Sequence, residues 1–152
     1  MKRSALFGIF IALLTLSVAV TAFAAGGSGS GGWGMGGAFQ RMYNPATVET
    51  VSGEVISVDR MTPMRKMGAG IHLQLKTDKE TVSVHLGPAW YIEQQDLHID
   101  KGDNIEVKGS RVTIAGKPAI IAATVKKGDA LLTLRDDSGV PVWSGWRKQM
   151  QK

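Results

Sequence analysis

The chain has 152 residues, a formal net charge of +5 and no cysteine. Without cysteine it cannot form disulfides, hold an iron–sulfur cluster through thiolates or carry a covalently attached c-type haem. With 18 basic against 13 acidic residues the chain is only mildly basic, which argues against a strongly cationic nucleic-acid binder. The length suits one domain held together by burial alone.

The N-terminus has the three parts of a secretory signal peptide. The basic pair Lys2-Arg3 is followed by an apolar run to about Val20, and Ala22 and Ala24 form the small-x-small pattern of a cleavage site. The apolar run is short for a membrane span of about 20 residues. We therefore predict that residues 1–24 are removed after Ala24, leaving a periplasmic or secreted protein without a transmembrane anchor.

A glycine-rich segment separates the signal peptide from the domain. Residues 25–38 contain so much glycine that ordering them is entropically unfavourable, which predicts a flexible tether. Trp33 and Met35 on this tether are either attachment points for a partner or incidental apolar residues in a disordered tail. The rest divides into a domain over 39–146 and a tail over 147–152.

The domain alternates apolar and polar residues with the period of β-strands. Strands are predicted over 47–59, 71–77, 80–86, 105–114 and 119–126, with an appended strand over 131–135. Gly53 lies in the middle of the first strand, where a bulge or sharp bend is expected. Gly87-Pro88 predicts the start of a short helix over 89–95, because proline suits the first helical position.

Three strands, a short helix and two further strands is the element order of the OB-fold, a small Greek-key barrel. We therefore predict an all-β protein, an OB-fold-like five-stranded barrel with one short helix between strands 3 and 4 and an appended C-terminal strand. An SH3-like barrel and an open β-sandwich are the alternatives. Neither normally places its helix between the third and fourth strands.

The second and third strands are predicted to form a hairpin that carries two histidines. Alternation along a strand places His72 and His85 on the same face, opposite the apolar residues. A two-residue turn at Asp78-Lys79 pairs Leu75 with Val82, and therefore His72 with His85. Cross-strand neighbours have Cβ atoms about 5 Å apart, within reach of one shared metal ion. The alternative is that both are solvated residues on an exposed strand face.

Three methionines precede the first of these histidines at a spacing of three residues: Met61, Met64 and Met67. Thioethers are soft ligands that select Cu(I) or Ag(I) when no thiolate is available. The sequence therefore suggests a copper site formed by His72, His85 and this methionine loop. The alternative is that the methionines only pack adaptably against one end of the barrel.

Other chemistries have weaker sequence support. Ser83 lies near His85, but no oxyanion-hole signal accompanies them, so we expect a protein that is not an enzyme. OB barrels often bind nucleic acid through their second and third strands. A basic rim for that purpose would come from Arg60, Arg65, Lys66 and Lys76. These strands carry no aromatic residue for base stacking, so nucleic-acid binding is a minor alternative.

Four stretches carry a resemblance to a known family. They are Val51-x-Gly53-x-Val55, Ile71-His72-Leu73-x-Leu75, Val84-His85-Leu86-Gly87-Pro88-Ala89-Trp90 and Gly102-Asp103-x-Ile105-x-Val107-x-Gly109. Over 48–135 the chain resembles the C-terminal domain shared by the magnetosome-associated MamS and MamX proteins. The resemblance implies an exported OB-like domain. We expect it to be a non-enzymatic accessory that binds an envelope protein partner and serves a redox or metal-handling system. MamX-type members also carry haem-binding Cys-x-x-Cys-His motifs, which this chain lacks.

Overall fold

The computed structural model describes residues 32–34 and 36–145. The predicted signal peptide, the first part of the predicted tether and the tail over 147–152 lie outside the described residues. Within the described part of the chain, no helix has the length and hydrophobicity needed to cross a membrane.

The described residues form six strands and two short helices. In chain order they are α1 (Ala38–Arg41), β1 (Val48–Met61), β2 (Gly70–Lys76), β3 (Thr81–Pro88), α2 (Ala89–Ile92), β4 (Asn104–Ile114), β5 (Lys117–Lys127) and β6 (Ala130–Thr133). Single turns of 3-10 helix lie at Pro45–Thr47 and Val142–Gly145. Strand and turn bounds differ from the predicted ones by only a few residues.

The strands pair in the order β3-β2-β1-β4-β5-β6, and each neighbouring pair is antiparallel. β3 also pairs in parallel with β5, which closes β1, β2, β3, β5 and β4 into a barrel-like ring. Helix α2 lies between β3 and β4 in the chain, and β6 is appended to β5. These findings confirm the all-β, OB-fold-like prediction.

Helix α2 is shorter than the predicted helix over 89–95. It forms one α-helical turn, after which the backbone N–H groups of Gln94 and Gln95 donate to carbonyl oxygens three residues back, on Tyr91 and Ile92. This is the tighter 3-10 pattern, which is frequent at helix ends.

Gly53 allows two strands to meet on β1. The next residue, Glu54, pairs with Lys76 on β2 and with Asn104 on β4. A Cβ atom at Gly53 would overlap the carbonyl group of Lys76, so this close approach requires glycine. The bulge itself lies slightly later, between Val55 and Ser57. Gly53 therefore allows the close contact between β1 and β2, and the bulge is a separate feature.

The β2–β3 hairpin is buried along one face and, on the other face, only at the end that carries the two histidines; Lys76 and Thr81 on that second face are exposed. Its first face is apolar and belongs to the main core. The fully buried side chains on that face are Leu73, Leu75, Val82, Val84 and Leu86. The opposite face carries the two histidines and is covered by chain from outside the ring.

This covering layer, which we call the terminal cover, consists of the described residues between Gly32 and Tyr43 together with 134–143. Its buried side chains include Trp33, Phe39, Gln40, Tyr43, Leu134, Arg135 and Trp143. The indole N–H of Trp143 donates to the carbonyl oxygen of Trp33 at 2.9 Å, which joins the two segments. Trp33 is therefore part of the domain packing, and its interpretation as an incidental residue in a disordered tail is wrong.

Candidate metal centre

The register of the β2–β3 hairpin brings the two histidines together. Leu75 pairs with Val82 and His72 pairs with His85, as predicted. The two imidazole ring centroids are 4.9 Å apart, and the ring planes are inclined by 50°. The sequence prediction that His72 and His85 are cross-strand neighbours is confirmed.

Both histidines are buried. His72 is 8% exposed and His85 is 3% exposed, so neither is a solvated residue on an open strand face. The aromatic ring of Phe39 lies 5.9 Å from the His85 ring, and Trp33 packs edge-on against Phe39 at 4.9 Å. The terminal cover therefore separates the pair from bulk water.

Two glycines make room for the cover. A Cβ atom at Gly70 would overlap the indole ring of Trp33, and one at Gly87 would lie 2.8 Å from the ring of Trp143. Gly70 lies two residues before His72 on β2, so the Trp33 indole rests on the same strand face as the histidine. The indole N–H of Trp33 also donates to the carbonyl oxygen of Gly68 at 3.0 Å.

Burial keeps both imidazoles neutral at physiological pH. Desolvation, together with the smaller effects of the nearby His72 and Arg135, lowers the pKa of His85 from 6.5 to about 4. Desolvation also lowers the pKa of His72, partly opposed by the carboxylate of Asp59. A neutral imidazole has a free nitrogen lone pair, which is the form that binds metals.

One imidazole nitrogen has no partner. Nδ1 of His72 is buried and accepts or donates no hydrogen bond among the described residues. Its other ring nitrogen, Nε2, lies 3.3 Å from the side-chain nitrogen of Gln74, which also donates to Ser83 Oγ at 3.1 Å. Because Nε2 accepts from this amide nitrogen, Nδ1 carries the proton of the neutral ring and is a buried donor without an acceptor.

Arg135 places a buried positive charge beside this pair. It is 2% exposed, its Nη1 donates to the carbonyl oxygens of Leu86 and Ala122, and its guanidinium carbon lies 5.0 Å from the Trp143 ring centroid. In the described part of the chain it forms no ion pair with a carboxylate. Burial lowers its pKa to about 10, so Arg135 stays charged at neutral pH.

The three methionines differ in their exposure and in what they contact. Met61 is exposed at the end of β1, whereas Met64 and Met67 are half-buried against the core. The side chain of Met67 packs next to Gly32, at the start of the cover. Among residues 32–34 and 36–145, no group of three or more histidine, cysteine, aspartate or glutamate side chains is arranged to hold a metal ion.

Sequence reasoning missed the residues that enclose the site. Trp33 and Phe39 lie in or next to the predicted tether, Arg135 is a charged residue at the end of the predicted appended strand, and Trp143 lies beyond the last predicted element. The available signal was the glycine at position 70, because a strand glycine often marks a close approach by another group.

Fold and site together define a small all-β domain with an enclosed histidine pair. The chain belongs to the MamS/MamX magnetosome protein family, whose model matches residues 47–132, from the start of β1 into β6. No curated protein matches the chain. The histidine pair lies inside the matched region, whereas the terminal cover lies outside it.

Proposed function

We propose that the protein is an exported, non-enzymatic accessory domain that acts with magnetosomes, binds an envelope protein partner and serves a redox or metal-handling system. The observation that carries this proposal is the family match, which spans every strand of the ring. The non-enzymatic role is proposed from the sequence, in which Ser83 lies near His85 without an oxyanion-hole signal.

A surface formed by β1 and α2 suits a protein partner. Val58 and Arg60 are two residues apart on β1 and therefore share a face. Arg60 forms a 3.3 Å ion pair with Glu93, which follows Trp90 by about one helical turn. Val58 and Trp90 are both 37% exposed. Tryptophan and arginine are enriched at protein interfaces, which favours this β1–α2 surface as the contact region.

Site-specific photo-crosslinking in cells tests the partner proposal. A photoreactive amino acid at position 90 should give one discrete adduct with an envelope protein. The same amino acid at Lys117, an exposed residue on β5, is the control. Adducts that are equal at both positions, or absent at position 90, would contradict the β1–α2 surface. Cell fractionation of the same strains tests export.

A second candidate function is soft-metal binding, with copper as the metal. It is favoured by the buried, neutral His72–His85 pair, whose ring centroids are 4.9 Å apart. The copper site predicted from the sequence also includes Met61, Met64 and Met67 as ligands. Titrating purified mature protein with Cu(I), beside a His72→Ala/His85→Ala double variant, tests it. Equally weak binding by both proteins would reject it.

Nucleic-acid binding has little support. The terminal cover occupies the histidine end of the β2–β3 face, and the described strands β2 and β3 carry no aromatic residue other than these histidines on which bases could stack.

A further inference from the structure

We propose that Arg135 forms a binding site for one small carboxylate anion, which its guanidinium holds through two parallel hydrogen bonds from Nε and Nη2. The anion occupies a cavity that Arg135 lines together with Tyr43, Lys108 and Thr124. This site uses neither histidine of the buried pair, and it does not depend on the proposed accessory function.

The hydrogen bonds of Arg135 leave one edge of its guanidinium free. Nη1 donates to the carbonyl oxygens of Leu86 and Ala122. Nε and Nη2 are both buried and have no hydrogen-bond partner among residues 32–34 and 36–145. These two nitrogens lie on the same side of the planar group, and their parallel N–H bonds match the two oxygens of a carboxylate. The unpartnered atoms are therefore the pair that binds a carboxylate bidentately.

The neighbouring carboxylates are engaged elsewhere. Asp136 follows Arg135 in the chain, but its Oδ1 accepts from the backbone N–H groups of Ser138 and Val140, both at 2.9 Å. Asp137 is exposed, and its Oδ1 lies 3.9 Å from Nζ of Lys108. A buried charge without a partner is strongly unfavourable. Arg135 therefore holds a buried positive charge that an external anion would neutralise.

The cavity sets the size and the charge of this anion. Its volume is about 220 Å³, smaller than the roughly 300–1,000 Å³ of pockets for drug-sized ligands. Pro45, Val48 and Ala123 give the cavity an apolar wall, which suits a short aliphatic chain. Because Lys108 already pairs with Asp137, a dianion would exceed the single charge of the guanidinium and leave a negative charge in a low-dielectric site. A free short-chain monocarboxylate meets all of these conditions.

Tyr43 connects the cavity with the guanidinium. It lines the cavity, and burial raises the pKa of its hydroxyl while the nearby charge of Arg135 opposes this increase. Tyr43 packs against Gly139, where a Cβ atom would overlap its ring. Nε and Nη2 of Arg135 are closed to solvent, so the anion reaches them when the Tyr43 side chain shifts. Binding should therefore change the surroundings of Tyr43 and Arg135 together.

NMR of labelled mature protein, titrated with propionate at constant ionic strength, tests the site without a variant. The Nε–H signal of Arg135 and the ring signals of Tyr43 should shift together and saturate with one propionate per chain. Sulfate, a dianion, should bind at least about tenfold more weakly. Signals that do not move, equal shifts with propionate and chloride, or equal affinity for sulfate would overturn the proposal.

Variants separate the guanidinium fork from its charge. Arg135→Lys keeps a positive charge but lacks the fork, so propionate affinity should fall at least about tenfold. Lys117→Ala, at an exposed position on β5, is the control and should bind as wild type does. Propionate should raise the thermal midpoint of wild type and of the control but leave that of Arg135→Lys unchanged. Unchanged affinity in a folded Arg135→Lys protein would overturn the proposal, and if this variant does not fold, the wild-type titration decides.

A crystal structure of wild type grown with propionate gives the geometry directly. The proposal predicts carboxylate oxygens at about 2.7–2.9 Å from Nε and from Nη2. A water molecule at this edge in the presence of propionate would mean that Arg135 serves only the packing of the terminal cover, and would overturn the proposal. The accessory function would stand in either case.

Discussion

Acidification should destabilise the metal-free protein well above the pH at which carboxylates titrate. The cause is His85, which is neutral in the folded protein because burial lowers its pKa from 6.5 to about 4. In the unfolded chain the same imidazole binds a proton below about pH 6.5. Its neutral burial therefore contributes stability that is fully present above pH 6.5 and is lost as the pH falls towards 4.

The magnitude follows from the two pKa values. A difference between 6.5 and about 4 corresponds to about 3 kcal/mol in total, of which about 2 kcal/mol is lost between pH 7 and pH 5. A domain of this kind has about 5–15 kcal/mol of stability, so the change is measurable. His72, whose pKa is also lowered by burial, acts in the same direction.

Urea unfolding of chelator-treated protein at pH 7, 6 and 5 measures this loss. The matched control is His85→Gln, which cannot titrate and should lose less stability over the same interval. Glu49 and Asp103, whose pKa values are lowered by hydrogen bonds from Arg111 and Lys127, lose their contributions only at lower pH. Parallel curves for wild type and His85→Gln between pH 7 and 5 would refute the reasoning.

Four further outcomes are expected. Trp33→Ala should lower the free energy of unfolding by about 3 kcal/mol because it empties the cover, whereas Trp90→Ala, at an exposed position, should change it by less than about 1 kcal/mol in urea unfolding. Gly70→Ala should destabilise wild type through its clash with Trp33, and this effect should shrink in the Trp33→Ala background, as a double-mutant cycle would measure. Arg111→Ala should cost about 1 kcal/mol by thermal unfolding, since Arg111 joins two half-exposed carboxylates at 2.9 and 2.7 Å. Mass spectrometry of exported protein should find a mature N-terminus at Ala25, and an intact signal segment would contradict cleavage.

The local alternation of apolar and polar residues was enough to predict the strands of the ring. Alternation in Ile71–Leu75 and Val82–Leu86 is the direct consequence of burying one face of a hairpin, and Gly87-Pro88 marks the change from strand to helix. The same alternation placed His72 opposite His85. These features depend on residues close together in the sequence, so one chain suffices to infer them.

Burial of the second hairpin face could not be inferred in this way. It depends on Trp33 and Trp143, which are 110 residues apart and meet through a hydrogen bond. The glycine-rich sequence around Trp33, considered alone, indicates flexibility, and only the close contact of its indole with Gly70 shows why this residue packs against the domain. The charge state and enclosure of the histidine pair therefore required the tertiary structure.

Nitrogen-15 NMR of labelled mature protein with Ag(I), a diamagnetic ion, tests the central claim most directly. One equivalent of Ag(I) should shift the imidazole nitrogen signals of His72 and His85 together. Histidine signals that stay in place after one equivalent of Ag(I) would contradict the account.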